Sequence, residues 1–137
     1  MAVAVKAPPA LEDRPVVLRL VATPDRLPAR AAAIIAALDA DLFPDDRPYT
    51  IPGAFWWIAY ADLRIAGFAG LKPLDEELET AYLCRAGVRR RYQGRGIHRR
   101  LLRARLQRAR VAGFDSAVTD CSPDNLASAN NLAAAGL

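Results

Sequence analysis

The sequence predicts an α/β protein with a mixed, mostly antiparallel central sheet flanked by helices, in the order β-α-β-β-β-α-β-α. Three observations predict it. Short runs of β-branched, aromatic and alternating residues recur at Pro15–Ala22, Phe55–Tyr60, Arg64–Leu71, Thr80–Val88 and Ser116–Asp120. Longer segments between and after them carry apolar residues at helical spacing. A glycine loop, Arg91-Tyr92-Gln93-Gly94-Arg95-Gly96, joins one strand directly to one helix.

The elements follow in order. Residues 1–14 read as a flexible leader, and 15–137 as one domain. Pro15–Ala22 (PVVLRLVA) alternates and is a strand. Thr23-Pro24 pairs a cap candidate with a proline at the first helical position, so a helix is expected from there. Leu27, Ala31, Ile34, Ile35, Leu38 and Leu42 form its apolar stripe. Asp39 to Pro52 is rich in Asp and Pro and reads as a loop or a short second helix. Phe55–Tyr60 and Arg64–Leu71 form a hairpin about Ala61-Asp62-Leu63. In that hairpin, Trp56-Trp57 should place one indole in the core and the other in a groove.

Lys72–Glu79 is an acidic linker. Thr80–Val88 alternates poorly, as a strand buried on both faces would. Ile97–Ala112 is the clearest helix, with Ile97, Leu101, Leu102, Leu106 and Ala109 in its stripe and Gly113 as its stop. A last helix, Leu126–Ala135, follows cap candidates Ser122 and Asp124.

Composition narrows the class. Just over half of the 137 residues are apolar and a quarter are charged, which is globular usage. No apolar run reaches the roughly 18 residues of a spanning helix. Cys84 and Cys121 show no metal spacing and no disulfide framework. A cytoplasmic protein without metal or membrane partner is expected. Net charge is +4, yet Arg85–Arg110 holds eleven arginines and no acid. The remainder carries eight basic against fifteen acidic residues, so the molecule is polarised. Seventeen arginines against two lysines, in an alanine-rich chain, match a bias associated with GC-rich bacterial genomes.

The glycine loop is the main functional signal. Gly94 and Gly96 remove side chains where a backbone turns sharply or approaches a ligand. The free N–H groups of the following helix make a ready anion site. A phosphate-loop reading fails because Gly96 is followed by Ile97-His98 and not by Lys-Ser/Thr. A dinucleotide reading fails for want of a third glycine at Arg99. A plain tight turn with no ligand remains open on the loop alone.

Arg91-x-x-Gly94-x-Gly96, after a strand and before an amphipathic helix, resembles the acyl-CoA motif of the GNAT superfamily of N-acyltransferases. Asn125 through Gly136-Leu137 is similar to that family's next motif, an Asn-led helix ending in glycine and an apolar residue. The resemblance covers roughly residues 15 to 137 and implies a GNAT-like acetyltransferase using acetyl-CoA. It implies that backbone groups at Ala86, Gly87 and Val88 pair with the pantetheine arm. Gln93, Gly94, Arg95, Gly96, Ile97 and the first turn at His98 and Arg99 would cradle the pyrophosphate, with Arg91, Arg95 and Arg99 or Arg100 neutralising it. Asn125, Ser128 and Asn131 would reach the cofactor from the last helix.

Gly87, inside a buried strand, is expected to mark a bulge that opens a slot for a thin acyl chain.

Acyl transfer to an amine needs a neutral amine and a donor for the developing oxyanion. The Val88 N–H is the natural donor. No covalent intermediate is required, and Cys84 and Cys121 fit small buried residues better than nucleophiles. Glu79 and Asp120 are the candidate bases, although Glu79 also reads as one more solvated member of Asp75–Glu79. The family's tyrosine acid falls at Leu132, which cannot donate a proton. Tyr82 could replace it, though it fits a core aromatic better. His98 reads as a surface or half-buried histidine, with its pKa lowered by the helix N-terminus and no catalytic duty.

Relatives usually continue into further strands beyond Leu137, so the usual last strands are expected to be lacking. The sequence thus predicts direct acetyl transfer to an amine, on a small molecule or a protein, with a homodimer left open. Two other readings remain: a non-catalytic CoA-binding module, and a basic nucleic-acid binder. The second is weakened because Tyr92 is the only aromatic in the arginine block.

Overall fold

The computed structural model describes residues 15–74 and 79–119. Five strands form one sheet: β1 (Val16–Ala22), β2 (Phe55–Ala61), β3 (Arg64–Pro73), β4 (Thr80–Val88) and β5 (Ser116–Val118). They lie in the order β1-β2-β3-β4-β5. The first three pairings are antiparallel and the β4–β5 pairing is parallel. Helix α1 (Ala29–Leu42) follows β1, and α2 (Ile97–Val111) links β4 to β5. The last predicted helix lies outside the described residues, as do the leader and most of the acidic linker. Among the described residues no helix is long and apolar enough to cross a membrane.

The sheet is covered on both faces, and this explains its composition. One core packs Ile97, Leu101, Leu102 and Ala109 of α2 against Trp57, Ala59, Leu71, Leu83 and Val88. The other packs Ile35 and Leu38 of α1 against Trp56, Phe68 and Cys84. Alternation along β2 therefore sends Trp56 and Trp57 to opposite faces, and both are buried. The expectation of one indole in a groove is corrected: each face has its own helix, so neither indole reaches solvent.

The first helix starts later than Thr23-Pro24 suggests. Thr23 and Arg26 instead exchange two backbone hydrogen bonds in a small turn. Pro28, preceding the first helical residue, sets the start at Ala29. A residue before proline resists the α conformation, so Leu27 cannot join the helix. The β2–β3 turn is the tight one expected: Ala61 pairs with Arg64, and Asp62 and Leu63 both take positive φ, 54° and 64°.

The bulge in β4 falls two residues earlier than the glycine predicts. Ala69 pairs with Ala86 and Gly70 with Cys84, leaving Arg85 as the extra residue. Gly87 pairs regularly with Phe68. It is a glycine for packing, since a Cβ there would lie 2.9 Å from Leu42 Cδ1 and 3.1 Å from Phe43 Cε2. Gly70 is tighter still: a Cβ would lie 2.5 Å from Cys84 Sγ and 2.6 Å from the Trp56 ring. Gly70→Ala should therefore cost about 2 kcal/mol by overpacking against a rigid indole. A chemical-denaturation midpoint equal to that of the parent would contradict this packing.

Candidate active site

The glycine loop forms as its sequence predicts. A single 3₁₀ turn, Arg90–Tyr92, leaves β4 and buries Tyr92. Gly94 and Gly96 follow with φ of 81° and 77°, which glycine adopts at little steric cost. Among the described residues no atom lies within 4 Å of a Cβ built on either, so no described group fills the space above them. Gly96 is the N-cap of α2, with no side-chain cap and no acidic residue in the first turn. The first helical bond runs from Arg100 N to Gly96 O, leaving the N–H groups at the helix head directed outwards. Polar donors, the positive end of the helix dipole and open space fit a pyrophosphate.

The strand leading into the loop supplies a second recognition element. Arg89 N donates to Ala66 O across the β3 edge at 2.7 Å. Strand alternation then turns the N–H and C=O of Val88 and Ala86 to the opposite, β5 edge. There Val88 O accepts the Gln93 side-chain amide at 3.2 Å. The described β4–β5 pairing runs from Thr80↔Ser116 to Tyr82↔Val118, and Thr119 Oγ1 donates to Leu83 O at 3.1 Å. Ala86 and Val88 lie past that closure, on the stretch between it and the glycine loop.

The arginines divide by role. Arg91 and Arg99 are exposed beside the loop. Arg95 reaches back to the hairpin turn and binds Asp62 at 3.2 and 3.5 Å. Both side chains are largely buried, so Arg95 braces the loop as well as charging it. Arg100 donates to Val16 O at 2.6 Å. His98 is half-buried, and its pKa lies below the ordinary imidazole range. Burial is the main cause and the Arg105 charge adds to it, a physical origin different from the helix dipole alone.

This His98 shift has a consequence for stability. Because the folded state disfavours the imidazolium, the unfolded chain takes up the proton first as pH falls. Stability should drop below about pH 6.5, the unfolded value. His98→Gln should flatten that part of the profile, read from denaturation midpoints between pH 7.5 and 5. An unchanged slope would exclude His98 as its source.

Several site residues were not anticipated. The bulge breaks alternation, so Cys84 and Arg85 both face α1. Arg85 Nε donates to Asp39 Oδ1 at 2.8 Å, Nη1 to Asp46 Oδ2 at 2.7 Å and Nη2 to Arg47 O at 3.0 Å. Its guanidinium also lies 4.3 Å from the Phe43 ring centre. Asp39 Oδ2 accepts Tyr49 N at 3.0 Å. Together these contacts pin the loop after α1 onto the bulge.

On the other face, Arg105 Nη1 donates to Cys84 O at 3.2 Å and Gly70 O at 3.4 Å, the carbonyls beside the register break. Burial brings the Arg105 pKa down to about 10, still charged at neutral pH. A signal for both residues exists in the sequence. Asp39 falls four residues after Ile35 and Arg105 four after Leu101, each a charge on an apolar stripe.

The catalytic candidates separate. Val88 is buried, at a point of the β4 edge that no described strand pairs. Glu79 is exposed at the head of β4, where its carbonyl accepts Asp115 N and Ser116 N. Tyr82 packs on the α1 face with its ring 5.6 Å from Lys72 Nζ, about three residues from the bulge. Burial raises the Cys84 thiol above its ordinary range, which suits a packing residue and not a nucleophile. Asp120, Cys121, Asn125, Ser128, Asn131 and Leu132 lie outside the described residues.

Past Tyr82 no described strand pairs with the outer edge of β4, and that edge leads to an uncapped glycine-headed helix, an arrangement that suits an acyl-CoA. The sequence pattern of the Acetyltransferase (GNAT) family matches residues 27–136, and the chain belongs to that family. It is an N-acetyltransferase, with acetyl-CoA as its acyl donor. No curated protein matches the sequence.

Solved structures share the fold. An aminoglycoside acetyltransferase from an uncultured soil metagenomic sample, in complex with sisomicin, is 15% identical with a TM-score of 0.69. The alignment covers 89% of this chain and 88% of that one. Aminoglycoside N-acetyltransferase AAC(6')-Iy, in complex with CoA, is 18% identical over 90% of this chain and 88% of its own, with a TM-score of 0.69. An IAA acetyltransferase from Bacillus cereus is 17% identical over 89% and 76%, with a TM-score of 0.69.

Proposed function

We propose that the chain transfers acetyl directly from acetyl-CoA to a primary amine, without a covalent enzyme intermediate. The observation that carries this reading is the outward-turned Ala86–Val88 edge running into the glycine loop. A pantetheine arm can hydrogen-bond along that edge like an added strand. The pyrophosphate then falls at Gln93–Ile97, with Arg91 and Arg99 alongside. The thioester oxygen can take the Val88 N–H as its donor as negative charge develops.

The amine gives its proton to solvent, because Glu79 precedes the start of β4 and Val88 ends it, and Tyr82 lies six residues from Val88. The leaving thiolate takes its proton from water. Asn125, Ser128 and Asn131 close the cofactor from the chain's last segment. Among the described residues Cys84 is the one thiol, and burial keeps it protonated, which supports direct attack.

Release of CoA thiol should be measured against a panel of amines: an aminoglycoside, spermidine, free amino acids and a lysine-containing peptide. Acetyl-CoA should raise the thermal midpoint, and at least one amine should accelerate thiol release. A thermal shift with no acceleration by any amine class would count against the transfer reading.

A further inference from the structure

Arg105 is 6% exposed, on the face of α2 that packs against the sheet. A leucine there would continue the apolar stripe, whereas a buried cation is costly to desolvate. Among the described residues its protons go to carbonyl oxygens and to no carboxylate. Nε donates to Leu101 O at 3.4 Å within its own helix, and Nη1 donates to Cys84 O at 3.2 Å and to Gly70 O at 3.4 Å. Gly70 and Cys84 face each other across the β3–β4 ladder, in the pair next to the extra residue Arg85. One nitrogen therefore ties the two strands together where their register breaks.

That break decides which backbone groups of β4 face outwards. Before it, Glu79 O accepts Asp115 N and Ser116 N at the start of β5, and Leu83 O accepts Thr119 Oγ1. Odd-numbered residues thus point to the outer edge there, while Thr80 O turns to the β3 side and accepts Leu74 N. Past the break the alternation is reversed. Arg89 N turns to the β3 side and donates to Ala66 O, so Ala86 and Val88 face outwards. A β4 without the extra residue would keep one alternation from Glu79 to Arg89, and would turn Ala86 and Val88 into the β3 ladder.

We propose that Arg105 is a positioning residue for the acyl donor. Its hold on Cys84 O and Gly70 O fixes the bulge at Arg85, and the bulge turns Ala86 and Val88 towards the pantetheine arm. This rests on the reading above, in which that arm pairs with the Ala86–Val88 edge. Arg105 is buried beneath the strand and acts through it. Removing the guanidinium leaves two carbonyls without this donor, so the break is free to slide. Each one-residue slide reverses the alternation of the residue it passes.

Isothermal titration of the full chain with acetyl-CoA, and with the phosphoadenosine diphosphate half of CoA, tests this. The half-molecule lacks the pantetheine arm and meets the glycine turn alone. In the parent, acetyl-CoA should bind more tightly of the two, because the arm adds hydrogen bonds along β4. Arg105→Met should weaken acetyl-CoA about tenfold, the worth of one or two backbone hydrogen bonds. It should leave the half-molecule within about twofold, since the turn at Gly94 and Gly96 is set by local backbone. Arg105→Lys keeps the cation but not the planar fork, and should lose part of the same ratio. If Arg105→Met does not fold, the ratio in Arg105→Lys decides. An unchanged ratio, whether both affinities hold or both fall together, would overturn the proposal while the edge reading stands. If the parent binds the half-molecule as tightly as acetyl-CoA, the edge reading fails first and this one with it.

Discussion

Asp39→Ala should lower the unfolding free energy by about 3 kcal/mol, the low end of the cost of breaking a buried ion pair. The carboxylate is almost fully buried, and it accepts both Arg85 Nε and the Tyr49 backbone N–H. Removing it leaves the Tyr49 N–H unpaired and Arg85 short of one anion. Arg85 keeps Asp46 and the Arg47 carbonyl, which is why the loss is not larger. Asp39→Asn keeps a carbonyl acceptor for one of the two donors and should lose less. Urea denaturation followed by tryptophan fluorescence reads both, because Trp56 packs 5.8 Å from the Tyr49 ring in the same cluster. Equal midpoints for the alanine variant and the parent would mean that the loop after α1 is not held by this pair.

Gly96→Val should weaken acetyl-CoA binding by tenfold or more while leaving the fold largely intact. The residue sits at φ 77° as the cap of α2. A β-branched side chain resists that conformation, at a cost of about 1–2 kcal/mol. No described residue comes within 4 Å of the added Cβ, so packing among them adds little to the loss of stability. The same open space is where the phosphates would approach the helix head, and the valine methyls would fill it. Isothermal titration with acetyl-CoA, beside a thermal melt, separates the two effects. Wild-type affinity in a folded variant would remove Gly96 from the cofactor site.

Much of the framework was legible in the residues. The fourth strand begins at Thr80 and ends at Val88 in sequence and structure alike, and α2 begins at Ile97 in both. These elements have strong local signals: a β-rich run, a glycine pair and an unbroken apolar stripe. The same local rule misplaced the start of α1, because Thr23-Pro24 and Pro28 both satisfy it. A turn closed by two hydrogen bonds decided between them. Gly87 invited a bulge for a similar reason. What distinguishes a bulge glycine from a packing glycine is the neighbour across the sheet, and Leu42 lies forty-five positions away in the chain.

The candidate site divides along the same line. A glycine turn into a helix is made of backbone groups in consecutive residues, so its shape follows from local conformation, and Gly94–Ile97 announced it. The Asp39–Arg85 pair and the Arg105 contacts join residues 46, 21 and 35 positions apart. No local pattern names the partner in such a contact, although a charge on an apolar stripe announces that one exists. The Tyr49–Lys72–Tyr82 grouping belongs to the same kind, because strand register and a pinned loop bring it together. By itself the sequence determined the order of the described elements and the glycine turn that heads α2, both short-range consequences of backbone preference and hydrophobic period. Tertiary structure alone decided where the strand bulges, which face Arg85 takes and which carbonyls Arg105 reaches. Those depend on register and packing, where energies of distant groups are compared only after the chain has closed on itself.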